Sequence, residues 1–130
     1  MPNSASRILI VDDEDTLLKM LCVYLRRLGY TVVPACSTEE AWAEVEAAPA
    51  AFALAVLDAT MKGIRMEDLA ARILAADSQT KVIAVSGYAI SIAGLQAATP
   101  GRVMFLQKPF TPIMLGDAVR RMLATQEEGV

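Results

Sequence analysis

Four short, uninterrupted apolar runs set the strongest limit on how this 130-residue chain can fold. Each lacks the polar alternation of a half-exposed strand. The runs are at 8–11, 54–57, 82–85 and 103–106. Runs of this kind are typical of strands buried on both faces of a parallel sheet. A fifth, shorter strand is predicted at 30–33, where Pro34 favours an edge position.

Segments with helical periodicity follow the predicted strands. Leu17, Leu21, Leu25 and Leu28 share one stripe, and Gly29 is the predicted stop. Ser37 and Glu40 have capping-box spacing, and Thr111-Pro112 predicts the start of the last helix. The predicted helices cover 14–28, a segment from Ser37 toward Pro49, 67–76, a surface segment after Ser86, and 111 to about 124. Alternating strands and helices predict an α/β fold, a doubly wound three-layer sandwich. We expect one domain over 1–130, with a core at about 7–124 and frayed ends.

Composition and charge limit the classes of function. The chain is 55% hydrophobic and 21% charged, which indicates a globular protein. A net charge of −3 gives no support for nucleic-acid binding, and no apolar run approaches membrane-spanning length. Cys22 and Cys36 lack metal-ligand spacing and are expected to be core thiols. A cytoplasmic location in a reducing compartment is therefore expected.

The apolar runs end on polar residues that describe one site. Asp12 and Asp13 follow the first run, Asp58 follows the second, Ser86 the third, and Lys108 comes shortly after the fourth. Ligands of open parallel sheets bind beyond the carboxyl ends of the strands. Three carboxylates, one hydroxyl and one ammonium are therefore expected to converge, a set suited to a divalent cation and a phosphoryl group.

Clustered carboxylates require a compensating cation. Two unit charges about 4 Å apart repel by about 4 kcal/mol at an effective dielectric near 20. An all-oxygen ligand set favours Mg²⁺, and a chain without histidine gives little support to zinc. Asp58 could then act as a nucleophile. Lys108 could neutralise charge on the phosphoryl oxygens, and the Ser86 hydroxyl could donate a hydrogen bond to the phosphoryl group.

Four segments in register resemble the receiver domain of two-component response regulators. They are 8–14, 56–58 with Met61, 85–89, and 108–110. The resemblance implies a flavodoxin-like, five-stranded parallel sheet with strand order 2-1-3-4-5. It also implies a phosphoacceptor signalling protein, not an enzyme with turnover, whose partners are a histidine kinase or histidine phosphotransfer protein. Whether the chain acts alone or as the receiver of a hybrid kinase stays open.

The same resemblance implies a role for each site residue. Asp58 is the expected phosphoacceptor. Asp13 and Asp58 are expected to bind Mg²⁺ directly, Asp12 through water, and Thr60 through its carbonyl oxygen. Lys108 is expected to bind the phosphoryl group and to be followed by a cis peptide bond to Pro109.

A switch and an output surface are also implied. Ser86 stands at the position of the switch hydroxyl, and Phe105 at that of the switch aromatic. The segment 82–101 contains no charged residue, although it should include a surface helix. Ile90, Ile92 and Leu95 are therefore predicted to contribute to a face for a downstream partner or a homodimer. The alternative is that Ile90 or Ile92 packs under a loop.

The loop after Asp58 departs from the family pattern. Lys62 stands in place of proline, Arg65 in place of an acid or amide, and Met66 in place of glycine. These changes motivate one alternative, a degenerate receiver acting as a constitutive binding module. A haloacid-dehalogenase-like phosphatase is less favoured, because Thr60 stands where those enzymes usually have a second acid.

Overall fold

The computed structural model describes the backbone of residues 6–128 and the side chains of residues 6–124. Strands and helices alternate from the first strand to the last helix. In order they are β1 (Arg7–Val11), α1 (Asp15–Arg27), β2 (Thr31–Ala35), α2 (Thr38–Ala47), β3 (Leu54–Asp58), α3 (Met66–Ala76), β4 (Lys81–Ser86), α4 (Ala93–Ala98), β5 (Val103–Gln107) and α5 (Pro112–Glu128).

The five strands form one parallel sheet in the order β2-β1-β3-β4-β5, as predicted. Every residue of β3 and β4 is buried, because helices cover both faces of these central strands. One apolar cluster lies between the sheet and the side of α2, α3 and α4, and a second lies between the sheet and α1 and α5. These three layers confirm the flavodoxin-like sandwich.

The helix and strand boundaries follow local chemistry. The Ser37 hydroxyl accepts the Glu40 N–H at 3.0 Å, which confirms Ser37 as the N-cap of α2. The Glu40 carboxylate accepts the Cys36 N–H at 2.7 Å, whereas a full capping box would bond the Ser37 N–H. Thr111 accepts the Met114 N–H in the same way at the start of α5. Gly29, with φ of 105°, follows the end of α1 in a left-handed conformation that other residues rarely adopt.

Three expectations about the elements were wrong. Strand β2 includes Pro34 and continues to Ala35, because an edge position tolerates the missing N–H. Leu28 is exposed, whereas Leu18 and Cys22 join Leu21 and Leu25 in the buried face of α1. Helix α5 continues to Glu128, beyond the predicted end at about residue 124. Residues 129 and 130 lie outside the described residues, and the fraying of the ends stays a prediction.

The two cysteines differ in their surroundings. Cys22 lies on the buried face of α1, and burial raises the pKa of its thiol. Cys36 is exposed just before α2, so the expectation of a core thiol is wrong for this residue. The hydrogen bond to Glu40 and the charge of Glu40 raise the pKa of the Cys36 thiol. No helix in the described part of the chain has the length and apolar character needed to cross a bilayer.

Candidate functional site

Three carboxylates meet at the carboxyl end of the sheet. Asp12 and Asp13 follow β1, and Asp58 is the last residue of the adjacent strand β3. One oxygen from each of the three side chains lies within 4.8 Å of the others. Asp12 and Asp58 are buried, whereas Asp13 is exposed to the solvent. The cluster therefore has the oxygen donors and the open side that a partly hydrated divalent cation requires.

Lys108 brings a positive charge to this cluster. Its Nζ lies 3.3 Å from Asp12 Oδ2 and 3.3 Å from Asp58 Oδ2. Burial lowers the pKa of Lys108, but the charges of Asp12 and Asp58 and the hydrogen bonds to them outweigh burial and raise it overall. The ammonium form is therefore the one that faces the two carboxylates at neutral pH. The Lys108–Pro109 bond is cis, as the resemblance implied.

The other oxygen of Asp58 is held by Thr60. Asp58 Oδ1 accepts the Thr60 backbone N–H at 3.1 Å and the Thr60 hydroxyl at 2.9 Å. Sequence reasoning assigned only the carbonyl of Thr60 and missed this contact. The sequence does carry a signal for this contact, a threonine two residues after an aspartate. Short polar side chains commonly bond the backbone and side chains of such near neighbours.

Ser86 lies at the end of β4, next to the strand of Asp58. It is completely buried, and its hydroxyl accepts the Tyr88 N–H at 3.2 Å. The backbone here is bonded on both sides: the Ser86 carbonyl accepts the Lys108 N–H at 2.8 Å, and the Val85 carbonyl accepts the Ala59 N–H at 2.7 Å. Its role as a switch hydroxyl stays a prediction.

The predicted output surface is more buried than the sequence suggested. Helix α4 begins only at Ala93, so Ile90 and Ile92 precede it. Ile92 is 8% exposed and belongs to the core cluster beside α3, while Ile90, Leu95 and Phe105 are half-buried against the same cluster. The burial of Ile92 agrees with the alternative in which one of the two isoleucines packs inward. The interface itself stays a prediction.

The two cationic residues that depart from the family pattern, Lys62 and Arg65, lie in different surroundings. The Arg65 guanidinium bonds Glu67 at 3.4 Å on α3 and is largely exposed. Lys62 lines a cleft of about 310 Å³ that also includes Asp13, Cys36 and Met61. Of the two, Lys62 is thus the cation that shares a cleft with one member of the carboxylate cluster, Asp13.

Comparison with known proteins identifies the family. The sequence profile of the response regulator receiver domain matches residues 8–120. The chain belongs to the response regulator receiver domain family. A CheY-like receiver domain protein from Methanospirillum hungatei has 28% identity and a TM-score of 0.84, with 96% of this chain and 98% of that chain covered. The receiver domain of the hybrid histidine kinase CckA has 30% identity and a TM-score of 0.78, with 91% and 99% covered.

Curated relatives include longer proteins. The DNA-binding response regulator MtrA of Mycobacterium tuberculosis is 30% identical over 129 residues, which are 98% of this chain and 55% of MtrA. The chain thus spans about half the length of this relative. The similarity concerns the receiver domain.

Proposed function

We propose that this receiver domain accepts a phosphoryl group on Asp58 from a phosphohistidine of a histidine kinase or histidine phosphotransfer protein. The observation that carries the proposal is Lys108, whose ammonium lies 3.3 Å from both Asp58 and Asp12. A lysine in this position can bind a phosphoryl oxygen as the aspartate carboxylate becomes an acyl phosphate. Family membership supports the same role.

The carboxylates fit Mg²⁺. Asp12, Asp13 and Asp58 offer hard oxygen ligands within 4.8 Å of one another, and Asp13 leaves the site open to water. We propose Asp13, Asp58 and the Thr60 carbonyl as direct ligands, with Asp12 bound through water. When bound, the ion neutralises negative charge on the carboxylates and the phosphoryl oxygens.

The chain's own residues then define the transfer. An Asp58 oxygen attacks phosphorus, the bond from phosphorus to the histidine nitrogen breaks, and the imidazole leaves with the electron pair. Lys108 exchanges its contact with the Asp58 carboxylate for a phosphoryl oxygen, and Ser86 donates its hydroxyl to another. The Phe105 side chain is proposed to shift with Ser86, which changes the surface offered to a downstream partner.

The test is acid-labile phosphate on Asp58. The protein is incubated with acetyl phosphate, with and without Mg²⁺, and its intact mass is measured. We expect one added phosphoryl group that requires Mg²⁺, and none in Asp58→Asn. Asp13→Ala should abolish Mg²⁺ binding because it removes a direct ligand. Phosphate on Asp58→Asn would contradict the assignment.

The alternative is a degenerate receiver that binds a partner constitutively, which the cation Lys62 in the acidic cleft favours. If the parent protein acquires no phosphate from any small donor, this alternative is supported. Turnover of a small phosphoester would instead support a phosphatase. We further propose a cytoplasmic location, which agrees with two free cysteines.

A further inference from the structure

The loop after the proposed phosphoacceptor is fastened to a helix from another part of the chain. Thr38, the first residue of α2, is 2% exposed. Its hydroxyl accepts the Ile64 N–H at 2.9 Å and lies 3.2 Å from the Lys62 carbonyl oxygen. It is also 3.2 Å from Glu39 Oε1, so its single proton has two possible acceptors. One buried side chain thus serves two backbone groups of the β3–α3 loop.

Gly63 allows this close approach. It has a φ of 94°, a conformation that other residues rarely adopt. A Cβ at this position would lie 2.5 Å from Thr38 Oγ1 and 2.5 Å from Glu39 Oε2. The glycine backbone is therefore pressed against the start of α2. We call the contact of Thr38 with residues 62–64 the Thr38 latch.

The Thr38 latch is the second of two attachments of the β3–α3 loop. At the first, Thr60 bonds Asp58 Oδ1 through its N–H and its hydroxyl. Between the two attachments lies Met61, which is half-buried. The Lys62 side chain is exposed, and its carbonyl belongs to the latch. A loop attached at both ends has fewer backbone conformations available, which limits the movement of the Thr60 backbone.

We propose that Thr38 is a positioning residue for the phosphorylation site. By holding residues 62–64 against α2, it restricts the loop that carries the Thr60 carbonyl, the proposed Mg²⁺ ligand. The inference rests on the proposed function, because the carbonyl matters only if the site takes Mg²⁺. It adds a residue at the start of α2 that no strand ending indicated.

The experiment compares four variants. Thr38→Val removes the hydroxyl and keeps the branched shape, whereas Thr38→Ser keeps the hydroxyl. Gly63→Ala disturbs the latch from the loop side. Ser37→Ala is the matched control, because it weakens the cap of the same helix while its hydroxyl, among the described residues, bonds Glu40 and not the loop.

Two readouts separate positioning from stability. Hydrogen exchange of the Ile64 amide reports the latch directly, and the shift of the Thr60 amide during a Mg²⁺ titration gives the metal affinity. We expect Thr38→Val and Gly63→Ala to speed Ile64 exchange and weaken Mg²⁺ binding by about tenfold. Thr38→Ser should stay near the parent, and Ser37→Ala should lower the melting temperature without changing the Mg²⁺ affinity.

The outcomes are distinguishable. If the parent binds Mg²⁺ and Thr38→Val binds it equally well, the positioning role is overturned and the proposed function stands. If Ser37→Ala weakens Mg²⁺ binding as much as Thr38→Val does, the effect is general destabilisation and the inference is overturned. If the parent neither binds Mg²⁺ nor acquires phosphate, the proposed function fails and the positioning role fails with it.

Discussion

Each oxygen of the Asp58 carboxylate accepts hydrogen bonds from a different neighbour, one neutral and one charged. Thr60 holds Oδ1 with two neutral hydrogen bonds, while Lys108 contributes a full charge at Oδ2. The aspartate is only 5% exposed, so these contacts supply the hydrogen bonds that water would otherwise provide to the carboxylate. At the scale of single residues, the site is a balance between clustered negative charge and one shared cation.

Lys108→Met should make stability depend more strongly on Mg²⁺. Without the ammonium, Asp12 and Asp58 remain close and uncompensated, so we expect the free energy of unfolding to fall by about 1–3 kcal/mol in the absence of metal. Saturating Mg²⁺ should restore much of this loss, because the ion supplies the missing positive charge. Urea unfolding with and without Mg²⁺ measures both effects. An equal loss in both conditions would contradict the shared-cation argument.

The lifetime of the phosphoryl group should be long, many minutes or more. The Thr60 hydroxyl is bonded to Asp58, and Tyr88 is an exposed aromatic, so neither supplies an acid or amide to orient a hydrolytic water. Thr60→Asn with Tyr88→Glu should shorten the lifetime. Decay of acid-labile phosphate after removal of the donor measures it. Hydrolysis of the parent within seconds would refute this prediction.

At the scale of elements, the segment between β4 and α4 is the least predictable from its composition. An uncharged stretch suggested an apolar surface helix, yet α4 is only six residues long and Ile92 ends in the core. The exposed apolar group of this segment is Tyr88, at 66% exposure. Ile90, Leu95 and Phe105 lie at the edge of the core, where they are half-buried.

Glutamate substitutions at the two isoleucines should therefore act differently. Ile92→Glu places a charge among buried apolar groups and should lower the free energy of unfolding by about 3 kcal/mol or more. Ile90→Glu should cost less and weaken self-association or partner binding without changing phosphorylation. Thermal melts and light scattering, with and without beryllofluoride, separate the effects. If Ile90→Glu associates as the parent does, the interface lies elsewhere.

At the scale of the whole molecule, a contact at the end of the sheet opposite the site links β4 to α5. Lys81, the first residue of β4, is buried and donates to the Met122 carbonyl at 2.6 Å. Arg102 donates to the carbonyls of Leu74, Asp77 and Thr80 between α3 and β4. Burial lowers the pKa of Lys81, and the charge of Arg102 lowers it further.

This lowered pKa gives stability a defined pH dependence. Between the folded pKa of Lys81 and its unfolded value of about 10.4, the unfolded chain binds more protons, so stability rises with pH. Relative to Lys81→Met, the parent should therefore gain stability as the pH rises toward about 10.4. Urea unfolding at neutral pH and just below that value measures the difference. Lys62→Met is the control, because Lys62 is exposed. If the difference in stability between the parent and Lys81→Met does not change with pH, the prediction is wrong.

The sequence by itself determined the sheet and the composition of the site. Buried parallel strands require continuous apolar runs, and the carboxyl ends of such strands share one edge, so Asp12, Asp13, Asp58 and Lys108 could be placed together from their positions after each run. Capping signals at Ser37 and Thr111 likewise act within a few residues and were readable without a structure.

Only the tertiary structure decided the features that depend on contacts between distant segments. The exposure of Cys36, the burial of Ile92 and the attachment of the loop to Thr38 all depend on how neighbouring elements pack. Thr38 and Ile64 are 26 positions apart, and no local propensity or periodicity relates them. Local rules fix which residues form helices and strands, whereas close packing of the layers decides which side chains meet across them.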